Sequence, residues 1–367
     1  MELTMEMKIA KIFYPKELYD PGYRGHMFPL LKPFLKNIGY SDSERISLYG
    51  ISSSDISFVE DPILADILIL PMSWNYYVLT GNRESALKFI DHFSQLGKKI
   101  FIYNAGDIGL KIPFFPNVLI FRLAVNKSPR KDNEIVIPPF IQDPLKTFYS
   151  SRKIFMRTYA DQPKVGFCGF AKTSRVDAAI ELMKIELQNI LSLLDLRIEE
   201  PQQFLSSSYF RGRVLGILKK SPGIKTNFIV RKNYRAGIMH DISHNTVIEF
   251  FNNIKDSDYV FCARGSGNFS VRFYETLAMG RIPVYVNTNG GLPLDNQIEW
   301  KDHVVWVEKS EINYIGEKIN HFHKKMDSGA FQKLLINNRK LWEERLTLGT
   351  YFKTILATEI SWNGNEE

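Results

Sequence analysis

The clearest chemical signal in this 367-residue sequence lies in the stretch 258–294. A short apolar run at 259–262 predicts a buried strand. An Ala-Arg-Gly-Ser-Gly-Asn loop follows it at 263–268, and a helix is expected to begin near Ser270. Small residues after a strand let the backbone approach a ligand, and a helix N-terminus offers free N–H groups and partial positive charge. This pattern predicts a phosphate-binding turn.

The side chains around this turn extend the prediction from a phosphate to a nucleoside diphosphate. Arg264 and Arg272 can form charge-assisted hydrogen bonds to phosphate oxygens. Gly265 and Ser266 are the small loop residues beside them, and Glu275 can accept both hydroxyls of a ribose. The alternative is a tight strand-to-helix turn flanked by surface arginines. The dinucleotide fingerprint lacks its third glycine here, and no Gly-Lys-Ser/Thr of a P-loop follows.

The rest of the chain alternates short apolar runs with longer amphipathic stretches, which indicates parallel β-α-β units. The segment 206–243 has no clear period, and its structure stays open. The predicted strands are Lys8–Tyr14, Asp66–Leu70, Lys99–Tyr103, Asn117–Phe121, Glu134–Ile137, Lys164–Cys168, Tyr259–Cys262, Pro283–Val286 and His303–Val307. The predicted helices are Arg83–Leu96, Arg175–Leu194, Thr246–Ile254, Ser270–Met279, Glu311–Lys325, Phe331–Leu346 and Tyr351–Ile360.

Length and pattern together predict two Rossmann-like α/β domains with a ligand cleft between them. The first domain is expected over residues 1–155 and the second, nucleotide-binding domain over 156–340. We expect the C-terminal helices at 341–367 to pack back on the first domain.

Composition excludes several classes of protein. Hydrophobic residues make up 44% and charged residues 24%, which is typical of a globular protein. The net charge of +7 is modest and no recognition motif accompanies it, so we predict no nucleic-acid partner. Two cysteines rule out a disulfide framework. The sequence shows no leader and no apolar run of about 18 residues, so we predict a cytoplasmic protein without a membrane segment.

Neither candidate metal motif has the form of a metal site. His240 and His244 are four residues apart, a spacing that can chelate on a helix, but no third ligand accompanies them. The Asp-Ser-Asp run at 256–258 precedes a strand instead of following one. We therefore predict no metal and no cofactor.

Three blocks in the phosphate-binding half resemble the exostosin-like glycosyltransferases of family 47. They are Phe261–Gly265, Ser270–Glu275 and Gly280–Val284. The family pattern reads Phe-Cys-x-x-x-Gly, then Ser-x-Arg-x-x-Glu-Ala, then Gly-Cys-Ile-Pro-Val. Thr276 replaces the family's alanine here, and Arg281 replaces its cysteine.

Further blocks extend the resemblance in the same order. Residues 61–71 are similar to the family's Asp-Pro-x-x-Ala-Asp-x-x-x-x-Pro, and 105–109 to its His-Asp-x-Gly block, with Gly106 where the family has histidine. Residues 166–169, followed by Arg175, resemble its Phe-x-Gly…Arg block. The ordered matches span roughly residues 8–325.

The resemblance implies a GT-B fold and an inverting hexosyl or pentosyl transfer, in polysaccharide or glycan biosynthesis. The donor would be a nucleotide sugar, usually a UDP-sugar, and the acceptor a glycan hydroxyl, without an obligatory metal. Carried over to this sequence, Arg264, Ser270 and Arg272 would face the phosphates and Glu275 the ribose. Arg175 would reach the diphosphate from its own loop.

An inverting transfer also needs a base that deprotonates the acceptor. We predict Asp107, which follows the strand at 99–103, with Asp20 and His26 after the first strand as alternatives. Arg231 is a further candidate for a donor-phosphate contact. The competing hypothesis is a non-catalytic binding or scaffold subunit that retains the nucleotide site.

Overall fold

A computed structural model of the chain describes residues 9–36, 39–128, 131–233 and 244–361. The chain forms two compact units, each built on a parallel sheet with helices around it. The prediction of an α/β protein with two Rossmann-like domains is therefore confirmed. The first unit comprises Met1–Val125, Pro129–Phe140 and Glu344–Glu367, and the second comprises Asn126–Ser128 and Ile141–Glu343.

The first unit has a six-stranded sheet in which all neighbouring strands are parallel. The strands are β1 (Ala10–Phe13), β2 (Ile56–Phe58), β3 (Ile67–Ile69), β4 (Ile100–Tyr103), β5 (Val118–Arg122) and β6 (Glu134–Val136), in the spatial order β2-β1-β3-β4-β5-β6. Every residue of β3 is buried, as expected for a strand covered on both faces.

The helices of the first unit come from both ends of the chain. They are α1 (Asp42–Tyr49), α2 (Trp74–Leu79), α3 (Arg83–Gln95) and α11 (Leu348–Ser361). The Tyr351 hydroxyl of α11 donates a hydrogen bond of 2.8 Å to the Val136 carbonyl of β6. In this way the C-terminal helix is tied to the edge strand of the first sheet.

The second unit has a five-stranded parallel sheet and seven helices among the described residues. The strands are β7 (Lys164–Phe170), β8 (Lys225–Arg231), β9 (Tyr259–Cys262), β10 (Ile282–Asn287) and β11 (Val305–Glu308), in the order β11-β10-β9-β7-β8. The helices are α4 (Pro144–Tyr149), α5 (Arg175–Leu193), α6 (Ser207–Lys220), α7 (His244–Lys255), α8 (Val271–Ala278), α9 (Ile315–Lys324) and α10 (Ser328–Leu341).

Both sheets contain a point at which the strand order reverses. In the second unit this point lies between β7 and β9, because the chain leaves β7 toward β8 on one side and continues from β9 to β11 on the other. In the first unit it lies between β1 and β3. Ligands of open α/β sheets bind outside the carboxyl ends of the strands at such points. The loops that follow β7 and β9 are therefore the first place to look for a ligand site.

A buried arginine ties the second unit together behind this edge. Arg281 is fully buried and donates hydrogen bonds to the carbonyls of Lys255, Gly280 and Phe155. Burial lowers its pKa to about 10. Because Lys255 and Gly280 lie at the ends of α7 and α8, this guanidinium satisfies carbonyls that those helices leave unpaired.

The structure describes residues 206–233 of the segment 206–243 that the sequence left open, and residues 234–243 lie outside the described ranges. Residues 206–233 form α6 and the edge strand β8, and β2 is a further strand that the sequence did not indicate. Helix α6 lies against the loop after β7: the Ser208 carbonyl accepts the Lys172 amide at 3.0 Å, and Gly212 faces the Lys172 carbonyl. No helix in the described ranges is both long and apolar enough to cross a bilayer.

Two glycines one turn apart on α6 test this packing. A Cβ at Gly212 would clash with the Lys172 carbonyl, whereas a Cβ at Gly216 meets nothing within 4 Å. We expect Gly212→Ala to destabilise the protein by roughly 1–3 kcal/mol through overpacking. Gly216→Ala should stabilise it by about 0.5–1 kcal/mol through helix propensity.

Thermal unfolding of the two variants measures this difference, and hydrogen exchange at the Lys172 amide locates it. Faster exchange at Lys172 should appear only in Gly212→Ala. Equal effects of the two alanines on stability would contradict the contact between α6 and the loop.

Candidate functional site

The candidate site lies at the carboxyl ends of β7 and β9. Strand β9 ends at Cys262, the chain crosses the loop 263–270, and α8 begins at Val271. Cys168 and Cys262 are both buried and free of disulfides, and burial raises the pKa of Cys262 to about 12. These thiols are part of the strands beneath the site.

The loop 263–270 is held in shape by its own arginine. Arg264 donates one hydrogen bond to the Ser266 carbonyl, at 2.7 Å, and another to the Gln203 side chain. The Gly265 amide donates to the Phe269 carbonyl at 3.0 Å. Arg264 is largely buried, and these contacts direct its guanidinium toward the loop. The guanidinium of this predicted phosphate ligand therefore helps to hold the turn formed by Gly265 and Ser266.

A buried asparagine anchors the same loop to the loop after β10. The Asn268 amide nitrogen donates to the Asn126 side chain at 2.7 Å, and its oxygen accepts the Thr288 hydroxyl at 2.8 Å. Sequence reasoning missed Asn268 and Gln203. The only signal was an asparagine inside the glycine-rich loop, because the partners lie far away along the chain.

Ser270 occupies the N-cap position of α8, but its hydroxyl makes no capping hydrogen bond. A serine at this position usually accepts an N–H bond from the first turn. The first amides of α8 thus keep their ability to bind an anion.

Arg272 lies on the first turn of α8 and reaches across to the end of β7. Its Nη2 donates to the Cys168 carbonyl at 2.9 Å, and its guanidinium lies 4.4 Å from the centroid of the Phe167 ring. A Cβ at Gly169 would come within 2.6 Å of Nη2, so the glycine makes room for the guanidinium. The buried Nε of Arg272 has no hydrogen-bond partner among the described residues.

Glu275 follows Arg272 by three residues, so the two side chains are neighbours on the helix. Burial raises the pKa of its carboxyl group to about 7, although the charge of Arg272 opposes the shift. Within the described part of the chain the carboxyl group has no hydrogen-bond partner. It is a hydrogen-bond acceptor beside a cation.

Two further predicted contacts lie on neighbouring elements. Arg231, at the end of β8, donates to Glu249 at 2.7 Å and to the Thr246 carbonyl at 2.9 Å. Its charge is close enough to lower the pKa of Arg272, adding to the larger effect of burial. Arg175 is exposed at the first position of α5. The structure thus unites Ser270, Arg272 and Glu275 at the start of α8, and places Arg231 in an ion pair next to them.

In the first unit, the predicted base Asp107 is exposed in the loop that follows β4. Buried Asn104 fixes this loop, since its side chain bonds both the amide and the carbonyl of Leu110, at 3.1 and 2.8 Å. The Ala105 amide donates to the Asn75 side chain at 2.7 Å. The loop is therefore well positioned although Asp107 itself faces solvent.

The alternative bases Asp20 and His26 lie at the reversal point of the first sheet. The Asp20 carboxylate accepts the Gly22 amide and the Tyr76 hydroxyl, both at 2.7 Å. His26 Nδ1 lies 2.9 Å from the Ser73 hydroxyl, a contact that leaves Nε2 for another partner. Each oxygen of Asp20 thus accepts one hydrogen bond, and the contact of His26 with Ser73 uses only its Nδ1.

The Asp-Ser-Asp run at 256–258, which is the second candidate metal motif, makes other contacts. Asp258 accepts Arg157 Nε and the Lys164 amide, both at 2.9 Å. No cluster of three or more His, Cys, Asp or Glu side chains suited to a metal occurs in the described ranges. His240 and the side chain of His244 lie outside them.

No family model and no curated protein matches the chain. Among solved structures, it is similar to a glycosyltransferase from Rickettsia africae ESF-5, with 12% identity, a TM-score of 0.38, and coverage of 98% of this chain and 100% of that one. It is also similar to a mutant of S. aureus TarM in complex with fondaparinux, alpha-GlcNAc-glycerol and UDP (11% identity, TM-score 0.38), with 80% of this chain matching 55% of that one. A third likeness is to Anabaena Alr3699/HepE in complex with UDP and glucose (9% identity, TM-score 0.36), with coverage of 98% and 100%. Likenesses this distant assign the chain neither to a family nor to an activity.

Proposed function

We propose that the protein is an inverting glycosyltransferase that moves a hexosyl or pentosyl group from a nucleotide sugar to a hydroxyl group of a glycan, with a UDP-sugar as the expected donor. The observation that carries the proposal is the group at the start of α8. Among the described residues, this group combines an open helix N-terminus at Ser270, an arginine with a free Nε, and an unpaired carboxyl group at Glu275. These groups match a diphosphate followed by a ribose.

The proposed binding of the diphosphate rests on the positive charge of Arg272 and on the hydrogen-bond donors at the start of α8. The Nε of Arg272, which has no partner among the described residues, and the first amides of α8 are hydrogen-bond donors that belong to the same turn of the helix. A guanidinium buried against Phe167 is poorly hydrated, so a phosphate oxygen gains more from it than from an exposed arginine. The same donors would stabilise the charge that develops on a diphosphate leaving group, without an obligatory metal.

The sugar-transfer part of the proposal rests on the sequence blocks shared with exostosin-like enzymes. The acceptor hydroxyl would attack the anomeric carbon from the face opposite the diphosphate, and a base would take its proton. We assign the base to Asp107, which is exposed on a fixed loop. His26 is the second candidate because it lies at the reversal point of the first sheet.

Donor binding gives the most direct test. Arg272→Lys keeps the positive charge but removes the Nε–H and the planar fork, so we expect the Kd of UDP to rise by about 10- to 100-fold. Isothermal titration calorimetry measures this change. Arg213→Lys, on the exposed face of α6, is the matched control and should bind UDP as the wild type does.

Three outcomes of this test are informative. If the wild type binds neither UDP nor any nucleotide sugar, the proposal fails. If Arg272→Lys binds UDP normally, the site is elsewhere. Tight binding without turnover of any nucleotide sugar would favour the non-catalytic subunit.

Donor affinity should also depend on pH through Glu275. A ribose that donates both hydroxyls requires the ionised carboxylate, and the pKa of Glu275 is raised to about 7. Affinity should therefore rise by up to about tenfold between roughly pH 6 and pH 8, as the carboxyl group loses its proton. UDP-glucose is the suitable probe because its diphosphate diester does not titrate in this interval.

Glu275→Gln should abolish the pH dependence and bind UDP-glucose equally at both ends of the interval. A wild-type affinity that does not change with pH, or an unchanged slope in Glu275→Gln, would remove Glu275 from the ribose site.

Turnover of the donor separates the two candidate bases. Asp107→Asn should lower kcat by about 100-fold or more while leaving the Kd of UDP unchanged, because a base acts in the chemical step. His26→Gln should then retain most of the activity. UDP release in the presence of an acceptor that the wild type uses measures both. The reverse result would make His26 the base.

A further inference from the structure

Helix α5 presents its apolar side to solvent. Six apolar side chains that lie along one face of α5, the last of them at its C-cap, are 43–69% exposed. They are Val176, Ile180, Met183, Leu187, Ile190 and Leu194. Their spacing alternates between four and three residues, which is the heptad pattern of a helix that packs against another helix. Within this helix, all of which the structure describes, only Ala178 and Ser192 are buried.

The polar side of the same helix faces its own unit. The Ser206 hydroxyl donates to Glu181 at 2.6 Å, and the Ser192 hydroxyl donates to the Glu199 carbonyl at 2.6 Å. Asn189 exchanges two hydrogen bonds with the backbone of Gln202, at 2.7 and 2.8 Å. These contacts fix the rotation of the helix, so it cannot turn its apolar side inward without breaking them.

We propose that this apolar face of α5 is the interface of a homodimer, and that its occupant is α5 of a second copy of the chain. The inference is independent of the proposed function.

The exposed area is sufficient for a stable dimer. Four more apolar side chains at the end of the helix and in the segment after it are 51–73% exposed; they are Leu193, Leu196, Ile198 and Phe204. At on the order of 100 Å² each, ten such side chains present roughly 1,000 Å², compared with about 800 Å² per partner in a typical stable complex.

Charge complementarity supports an antiparallel pair. When Ile180 faces Met183 of the second copy, and Val176 faces Leu187, the flanking position brings Asp177 opposite Lys184 of the second copy. Two-fold symmetry makes this ion pair twice. A parallel pair in register would place only an alanine opposite Lys184.

The charge of the surface argues against an anionic membrane as the occupant. Residues 175–200 carry six carboxylate side chains and only three basic ones. Helices that lie on anionic lipid carry an excess of lysine and arginine beside their apolar face. This helix carries the opposite excess.

Sedimentation velocity of the full-length protein tests the proposal. The wild type should sediment as a dimer at about 50 μM, and Met183→Glu as a monomer with a dimer Kd raised by about 100-fold or more. Leu79→Glu, which introduces the same charge at a 72% exposed leucine on α2, should stay dimeric. Thermal unfolding checks that both variants are folded.

A charge exchange tests the antiparallel register. Lys184→Asp alone should weaken the dimer by about tenfold, and adding Asp177→Lys should restore it. A monomeric wild type at about 50 μM, or a Met183→Glu protein that still dimerises, would overturn the proposal. Monomers that bind phosphatidylglycerol vesicles through Met183 would overturn it in favour of a membrane. Failure of any of these tests leaves the nucleotide-binding results unaffected.

Discussion

The candidate site depends on the packing of one guanidinium from α8 against β7. Arg272 leaves the first turn of α8, stacks on Phe167, and donates to the Cys168 carbonyl at the end of β7. A Cβ at residue 169 would crowd this guanidinium in its present position, and Gly169 leaves the space open. It ties the start of α8 to β7 beside the strand-order reversal and holds a cation at the open end of a helix. Leaving that cation without an anion is costly.

The carboxyl group of Glu275 is the acidic member of the same arrangement and lies beside the positive charge of Arg272. Its raised pKa reflects burial, and the proximity of Arg272 does not fully offset it. A partly neutral acid can remain in this position without ligand at low cost, and in the proposed complex it would gain hydrogen bonds from the ribose diol. Proton release and donor binding would then be coupled, which would link the pH of the solution to occupancy of the site.

The sequence predicted the elements with strong periodicity and missed those whose stability comes from long-range packing. The strands of both sheets that form apolar runs, such as β9, were found at the right residues. Helix α6 was missed because Gly212 and Gly216 lower its helix propensity, and only the structure reveals that Gly212 packs on the Lys172 carbonyl.

The partners of buried side chains were hidden for a related reason. Arg264 and Arg231 were predicted as ligands for phosphate, but their partners, Gln203 and Glu249, lie too far along the chain for spacing to reveal. The structural role of Arg281 was equally hidden, since the carbonyls that it binds come from three separate segments.

A crystal structure of the protein soaked with UDP would show directly whether the start of α8 binds the nucleotide. We expect a β-phosphate oxygen within hydrogen-bond distance of Arg272 Nε and of the first amides of α8, with both ribose hydroxyls on Glu275. UDP bound elsewhere, or bound here with Arg272 Nε and Glu275 still without partners, would contradict it.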